Sequence, residues 1–238
     1  MLNLEKIRAI SLDLDDTLWP IWPTIERAEK VLFEWLARHA PATAALCAAP
    51  AALREIRAHM VQHRPDLQHD MSGLRRESIR LALTRAGDDA ALAEPAFEVF
   101  FEQRQRVDLF PDVLPALEFL ARRYPLVSLS NGNADLQRVG LAPFFRGAVS
   151  AHAFGVPKPD PRIFHAAASL AGVDPGQVLH VGDDTVLDVL GAQGAGMQAA
   201  WANRTEAIWP HGGLQVAPAG PAPDLEFTSL SELCDALR

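Results

Sequence analysis

An apolar run from Ile7 to Leu12, broken only by Arg8 and Ser11, ends in Asp13-Leu14-Asp15-Asp16-Thr17-Leu18. A short run of this kind, closed by acids, reads as a buried strand whose end is polar. Side chains alternate along a strand, so Asp13 and Asp15 leave it on the same side and lie close together. Carboxylates held that close repel, and one takes up a proton or a cation sits between them. The pair suits a carboxylate nucleophile beside a carboxylic general acid, the chemistry needed to make and break an acyl phosphate. An Asp-rich turn after a strand has the same local composition, and other segments must decide between the two.

Residues 24–106 carry helical periodicity and no strand signal. Ile25, Ala28, Leu32, Trp35 and Leu36 share one face up to Pro41; Leu53, Ile56 and Met60 share another. Further helices are expected over 74–86 and about 91–106. Before them, Leu18-Trp19-Pro20-Ile21-Trp22-Pro23 is too rich in proline for a helix interior. From Pro111 onward strands and helices alternate. A helix over 111–123 precedes Leu126-Val127-Ser128-Leu129, and a weaker strand is expected at 148–151. Asp160 and Pro161 open a helix that stops at Gly172. Val178-Leu179-His180-Val181 is a strand, and a helix from about Thr185 leads to the strand Gln198–Ala202. Pro210–Pro223 reads as a surface loop, Leu225–Phe227 as a last strand, and Ser229-Leu230-Ser231-Glu232 as a capping box.

Alternation of this kind implies an α/β, doubly wound (Rossmann-like) parallel-sheet core. The expected division is a core of residues 1–18 and 107–238, with a helical insertion over 19–106. In such sheets ligands bind beyond the carboxyl ends of the strands. The polar motifs all fall there.

A carboxylate attacking a phosphate dianion meets about 4 kcal/mol of repulsion per unit-charge pair near 4 Å at an effective dielectric near 20. Cations and hydrogen-bond donors must offset it. Lys158, between Pro157 and Pro159, offers an ammonium on a stiffened backbone. Ser130 and Asn131, at the end of a strand, offer a hydroxyl and an amide to phosphate oxygens. Asp183, Asp184 and Asp188 are acids at a helix start, where they can also simply complement the helix dipole. Together with Asp13 and Asp15 they carry too much negative charge for one site without a cation. Hard oxygen ligands and an anionic substrate point to Mg²⁺.

Other classes are less compatible with the chain. A formal charge of −8 argues against general affinity for nucleic acid or anionic membranes. No stretch reaches the length of a membrane span, and Met1-Leu2-Asn3-Leu4-Glu5-Lys6 is no signal-peptide core, so a cytoplasmic protein is expected. Cys47 and Cys234 stand in no metal-ligand spacing. His180, inside a strand, reads as a packed core histidine. A monomer or homodimer acting on a small phosphorylated metabolite is the expected form.

The ordered set Asp13-Leu14-Asp15-Asp16-Thr17, Ser130-Asn131-Gly132, Lys158 and Gly182-Asp183-Asp184…Asp188 resembles the four motifs of the haloacid dehalogenase superfamily of phosphohydrolases. The resemblance implies that Asp13 is the nucleophile and Asp15 the general acid/base. It makes Asp13, the Asp15 carbonyl and Asp183 the Mg²⁺ ligands, with Ser130, Asn131 and Lys158 holding the phosphoryl group. Asp184 and Asp188 would complete an acidic shell, and the insertion would be the helical C1 cap. Ser128–Ala134, Leu179–Asp184, His69–Arg76 and Gly196–Trp201 resemble a bacterial branch acting on flavin mononucleotide and on the ribitylaminouracil phosphate of riboflavin synthesis. In capped members the cap and the turn after the first motif read the leaving group. That role would bring in Arg75 and Arg76, and Trp19 and Trp22 would either stack on a flat ring or pack cap against core. The superfamily's dehalogenases lack the second aspartate, which argues against that activity here. Its phosphomutases keep both aspartates and stay open, as does, in another class, an aspartate phospho-acceptor switch.

Overall fold

The strand ending at Asp13 is the centre of the sheet. In the computed structural model, which describes residues 1–48, 52–205 and 220–238, β1 (Ala9–Leu12) is buried at every position. It pairs in parallel with β2 (Leu126–Ser130) on one side and β4 (Val178–Gly182) on the other. β3 (Gly147–Ser150) flanks β2, while β5 (Gln198–Ala202) and then β6 (Leu225–Phe227) follow β4, giving the parallel order β3-β2-β1-β4-β5-β6. The fold is therefore the Rossmann-like α/β sheet expected from the alternation. The direction in which successive strands are added reverses at β1, and a crevice opens at such a switch point beyond the strand ends. Most of the expected loop 210–223 lies outside the described residues.

The chain divides into two compact units: residues 1–20, 108–132 and 136–238, and residues 21–107 with 133–135. The helical unit contains α1 (Ile21–His39), α2 (Pro41–Leu46), α3 (Ala52–His63), α4 (Met71–Ala86) and α5 (Ala93–Arg104). α1 begins three residues before the Thr24 expected from periodicity. Pro23 falls in its first turn, where a missing N–H has no intrahelical partner to lose. Pro41 likewise starts α2 rather than only ending α1. Ala28, Leu32, Leu36, Ile79, Leu83, Phe97 and Phe100 form the unit's core. Residues 133–135 join it through hydrogen bonds: Asn133 Nδ2 donates to Ser72 Oγ, Gln105 Nε2 to the Asn133 carbonyl, and the Asp135 N–H to Gln105 Oε1.

The two arginines singled out for substrate contact serve this unit's packing. Arg75 is buried, stacks 4.0 Å over the Phe100 ring and pairs with Glu29 at 3.2 Å. Burial holds its guanidinium down at about 10, with Arg57 adding and Glu29 opposing. Arg76 lies over Phe97 and pairs with Glu94. Trp22 is exposed at 56%, with the Arg54 guanidinium above its ring.

In the sheet unit, α6 (Val113–Ala121) packs with α10 (Leu230–Ala236), and α8 (Pro161–Ala171) covers β1, β2 and β3. Ile163, Phe164, Ala167 and Val189 join Ala9, Val127 and Val178 in one apolar cluster. α7 (Ala151–Phe154) leads into the Lys158 loop. A π-helical turn, Thr185–Leu190, precedes α9 (Gly191–Gly194), where a single regular helix is expected from the sequence.

Glu29→Ala should leave the buried Arg75 cation unpaired and destabilise the helical unit by roughly 3–5 kcal/mol, whereas replacing both partners together, Glu29→Leu with Arg75→Met, should cost far less. Urea denaturation followed by circular dichroism checks the difference.

Candidate active site

The ladder extends past β1: the Asp13 N–H donates to the Val181 carbonyl at 2.9 Å. This fixes the Asp13 backbone at the carboxyl end of the central strand, beside the end of β4. Its side chain is buried and accepts from Lys158 Nζ at 2.6 Å. The same ammonium donates to Asp188 Oδ1 at 2.5 Å. Lys158 is itself 3% exposed, so both contacts are made almost out of water and count for far more than a surface pair.

Lys158 is held at its backbone by Asn131. The Asn131 Oδ1 accepts from the Lys158 N–H at 2.7 Å, and Nδ2 donates to the Lys158 carbonyl at 3.0 Å. These two bonds join the end of β2 to the Lys158 loop. Ser130 Oγ accepts from the Gly132 N–H at 3.0 Å, shaping the same turn.

The two later acids have different jobs. Asp184 caps the π-helical turn, its Oδ1 accepting from the Val186 and Leu187 N–H groups at 2.8 Å. This is the helix-start role open to any acid there, and it places Asp184 outside the Lys158 contacts. Asp188 instead accepts from Lys158, from the Asp184 N–H at 3.0 Å and from His180 Nε2 at 3.1 Å. A carboxylate only accepts, so Nε2 of His180 carries the proton and Nδ1 accepts from Ser11 Oγ at 2.8 Å. Ser11 and His180 are partners in the β1–β4 register. His180 is the fully buried core residue expected, and it also anchors the acid that orients Lys158. Its signal in the sequence was a polar residue inside each of two buried strands.

Gly182 makes this possible. A Cβ there would lie 2.3 Å from Asp188 Cγ, so only glycine lets the carboxylate sit against the end of β4. Thr17 Oγ1 donates to Asp183 Oδ1 at 3.1 Å, and Trp201 Nε1 to the Asp183 carbonyl at 2.8 Å. Arg204 Nε donates to the Thr17 carbonyl. Asp15 Oδ1 accepts from the indole N–H of Trp19 at 2.8 Å. Trp19 is fully buried.

Carboxylate oxygens of Asp13, Asp183 and Asp188 lie within 4.8 Å of one another. Burial pushes the Asp13 carboxyl well above its usual range, and Asp188 and Asp183 add to this against Lys158. Burial likewise raises Asp183 to about 7, helped by Asp188 and Asp16. Burial opposes ionisation of Asp188 too, but Lys158 and His180 outweigh it and hold that carboxyl below its usual value. The cluster is short of positive charge at Asp13 and Asp183, while both oxygens of Asp188 are already engaged. Hard oxygens on those two acids fit a Mg²⁺-like cation.

The haloacid dehalogenase-like hydrolase family matches residues 7–196. The 5-amino-6-(5-phospho-D-ribitylamino)uracil phosphatase YigB of Escherichia coli K12 is 33% identical, covering 97% of this chain and 96% of its own. A phosphoserine phosphatase of Thermus thermophilus is 36% identical over 67% of this chain and 63% of its own. A crystal structure of a 2-haloacid dehalogenase from Pseudomonas syringae pv. Tomato DC3000 superposes with a TM-score of 0.87 at 40% identity, covering 97% of this chain and 98% of that one.

Gly182→Ala should displace Asp188 and lower phosphatase turnover by at least about tenfold, since Lys158 loses a buried partner. In metal-free protein Asp183, raised to about 7, keeps its proton between about pH 4 and 7 where the unfolded chain has lost it, and Asp13 is shifted in the same direction. Stability should therefore fall as pH rises through that window. Melting curves in EDTA should show this fall, and Asp183→Asn should flatten it.

Proposed function

Because the chain belongs to the haloacid dehalogenase-like hydrolases and is a phosphoric monoester hydrolase among them, we propose that it is a Mg²⁺-dependent phosphatase working through an aspartyl phosphate, with flavin mononucleotide or a ribitylaminouracil phosphate as substrate. The observation that carries the mechanism is the buried Lys158 ammonium shared between Asp13 and Asp188. It supports a carboxylate nucleophile kept beside a fixed cation.

Asp13, with Asp183 and the Asp15 carbonyl, would hold the divalent cation. When bound, that ion offsets the charge between substrate phosphate and carboxylate. Lys158 aims its ammonium at the same oxygens, and Ser130 and the Asn131 turn border the phosphoryl position. A carboxylate oxygen of Asp13 attacks phosphorus, the bond to the leaving oxygen breaks, and Asp15 gives that oxygen its proton. Water then passes a proton back to Asp15 and attacks the phosphorus, which releases phosphate and restores the Asp13 carboxylate.

The substrate proposal draws on the full-length likeness to the Escherichia coli enzyme, whose name gives a ribitylaminouracil phosphate. The likeness to a dehalogenase supplies a second arm for the test. A halide leaves without a proton, so a carboxylic acid beside the nucleophile serves an oxygen leaving group better.

Phosphate release should be measured from p-nitrophenyl phosphate, flavin mononucleotide and ribitylaminouracil phosphate, and halide release from 2-chloropropionate. Many turnovers that stop in EDTA, and fall at least about a thousandfold in Asp13→Asn, are expected with the phosphate esters alone. A single equivalent of phosphate, or halide release instead, would overturn the reading.

A further inference from the structure

Trp19 stands out among residues the chemistry above leaves unused. It is fully buried, yet its indole N–H, a donor with no acceptor capacity, is spent on the half-buried carboxylate of Asp15. The backbone around it is built to bring this about. Asp16 adopts φ 57°, a left-handed conformation that aspartate tolerates better than most residues. The Leu18 N–H then returns to the Leu14 carbonyl at 2.8 Å, and the Asp16 N–H meets the Trp19 carbonyl at 2.8 Å, so that Asp15 and Trp19 form a bridge. The carbonyls of Thr17 and Leu18 are taken by Arg204 Nε and the Phe110 N–H. Four hydrogen bonds thus hold the loop backbone around the indole.

We propose that Trp19 is a positioning residue for proton transfer, its indole N–H fixing the Asp15 rotamer and reserving Oδ1 as the acceptor, so that the transferable proton is carried on Oδ2. This rests on the reading of Asp15 as general acid. When Asp15 is protonated, the carbonyl-type oxygen is the better acceptor and stays with the indole, which puts the hydroxyl on the other oxygen. As the P–O bond to the leaving group breaks, the Oδ2–H proton passes to the leaving oxygen. The resulting carboxylate keeps the indole bond, now charge-assisted and stronger. In the second half-reaction Oδ2 recovers a proton from water, with no rotation of the side chain between the two.

A residue that positions a general acid matters in proportion to how much the leaving group needs a proton. Packing alone has no such preference. kcat/KM should be measured over a series from p-nitrophenyl phosphate through phenyl phosphate to an alkyl phosphate, for the wild type, Trp19→Phe and Asp15→Asn. Since kcat/KM reports steps up to the first irreversible one, it follows leaving-group departure even where hydrolysis of the intermediate limits kcat.

Trp19→Phe is expected to lose roughly tenfold or more on the alkyl ester and less than about threefold on p-nitrophenyl phosphate, steepening the dependence in the same direction as Asp15→Asn. An equal loss across the series, or none, would overturn the proposal and leave Trp19 a packing residue. Phenylalanine leaves a cavity. If that variant does not fold, a benzothienylalanine at position 19 keeps the ring shape, removes the N–H and reads the same slope.

As a readout independent of turnover, the Trp19 indole proton in the metal-free protein should lie downfield and move upfield in Asp15→Ala. No movement would count against the bond. An unchanged series in Asp15→Asn would mean that Asp15 is not the acid, which would overturn the mechanism above as well. A steep Asp15→Asn series with a flat Trp19→Phe series would overturn only the role given to Trp19.

Discussion

A single ammonium holds the arrangement together. Lys158 is buried between Asp13 and Asp188, and those contacts hold three ionisable groups out of water at the end of the central strand. Such a cluster is expensive to desolvate, and it persists only because each partner is held from behind. Asn131 grips the Lys158 backbone, His180 and the Asp184 N–H grip Asp188, and the β4 ladder grips Asp13. The polar Ser11–His180 pair inside two otherwise apolar strands has its reason here.

The charge balance also separates the acids by task. Asp188 stays ionised because a cation and an N–H donor face it. Asp13 and Asp183 are pushed toward protonation by burial and by the neighbouring Asp188 carboxylate, which leaves a demand for positive charge at the place where an anionic substrate must be received. A site of this kind is preorganised for phosphoryl transfer, whose catalysis is mostly positioning and electrostatics. Asp15 takes the indole N–H of Trp19 on one of its carboxylate oxygens.

In the helical unit the same principle works for stability. Arg75 and Glu29 are a buried pair stacked on Phe100, and Arg76 covers Phe97. Long cationic side chains expected from the sequence to read the leaving group cover aromatic surface there with their planar heads.

Much was settled by local pattern. The apolar runs closed by acids or Ser-Asn-Gly, separated by amphipathic helices, determined a parallel sheet with its polar residues at one edge. The apolar run closed by acids determined that Asp13 stands at the carboxyl end of β1. Asp160 and Pro161, and the glycine after Ala171, determined the limits of α8. These are short-range effects, fixed by steric limits on a few consecutive residues. Only the tertiary structure decided which acid serves Lys158, that the Asn131 amide holds the Lys158 backbone, that Gly182 is the space in which Asp188 sits, and that Trp19 turns its N–H to Asp15. Each of those depends on atoms brought together across many residues of chain, or on the detailed path of a loop, and the energy of a buried polar contact is set by its partners and its distance from water, neither of which a linear pattern contains.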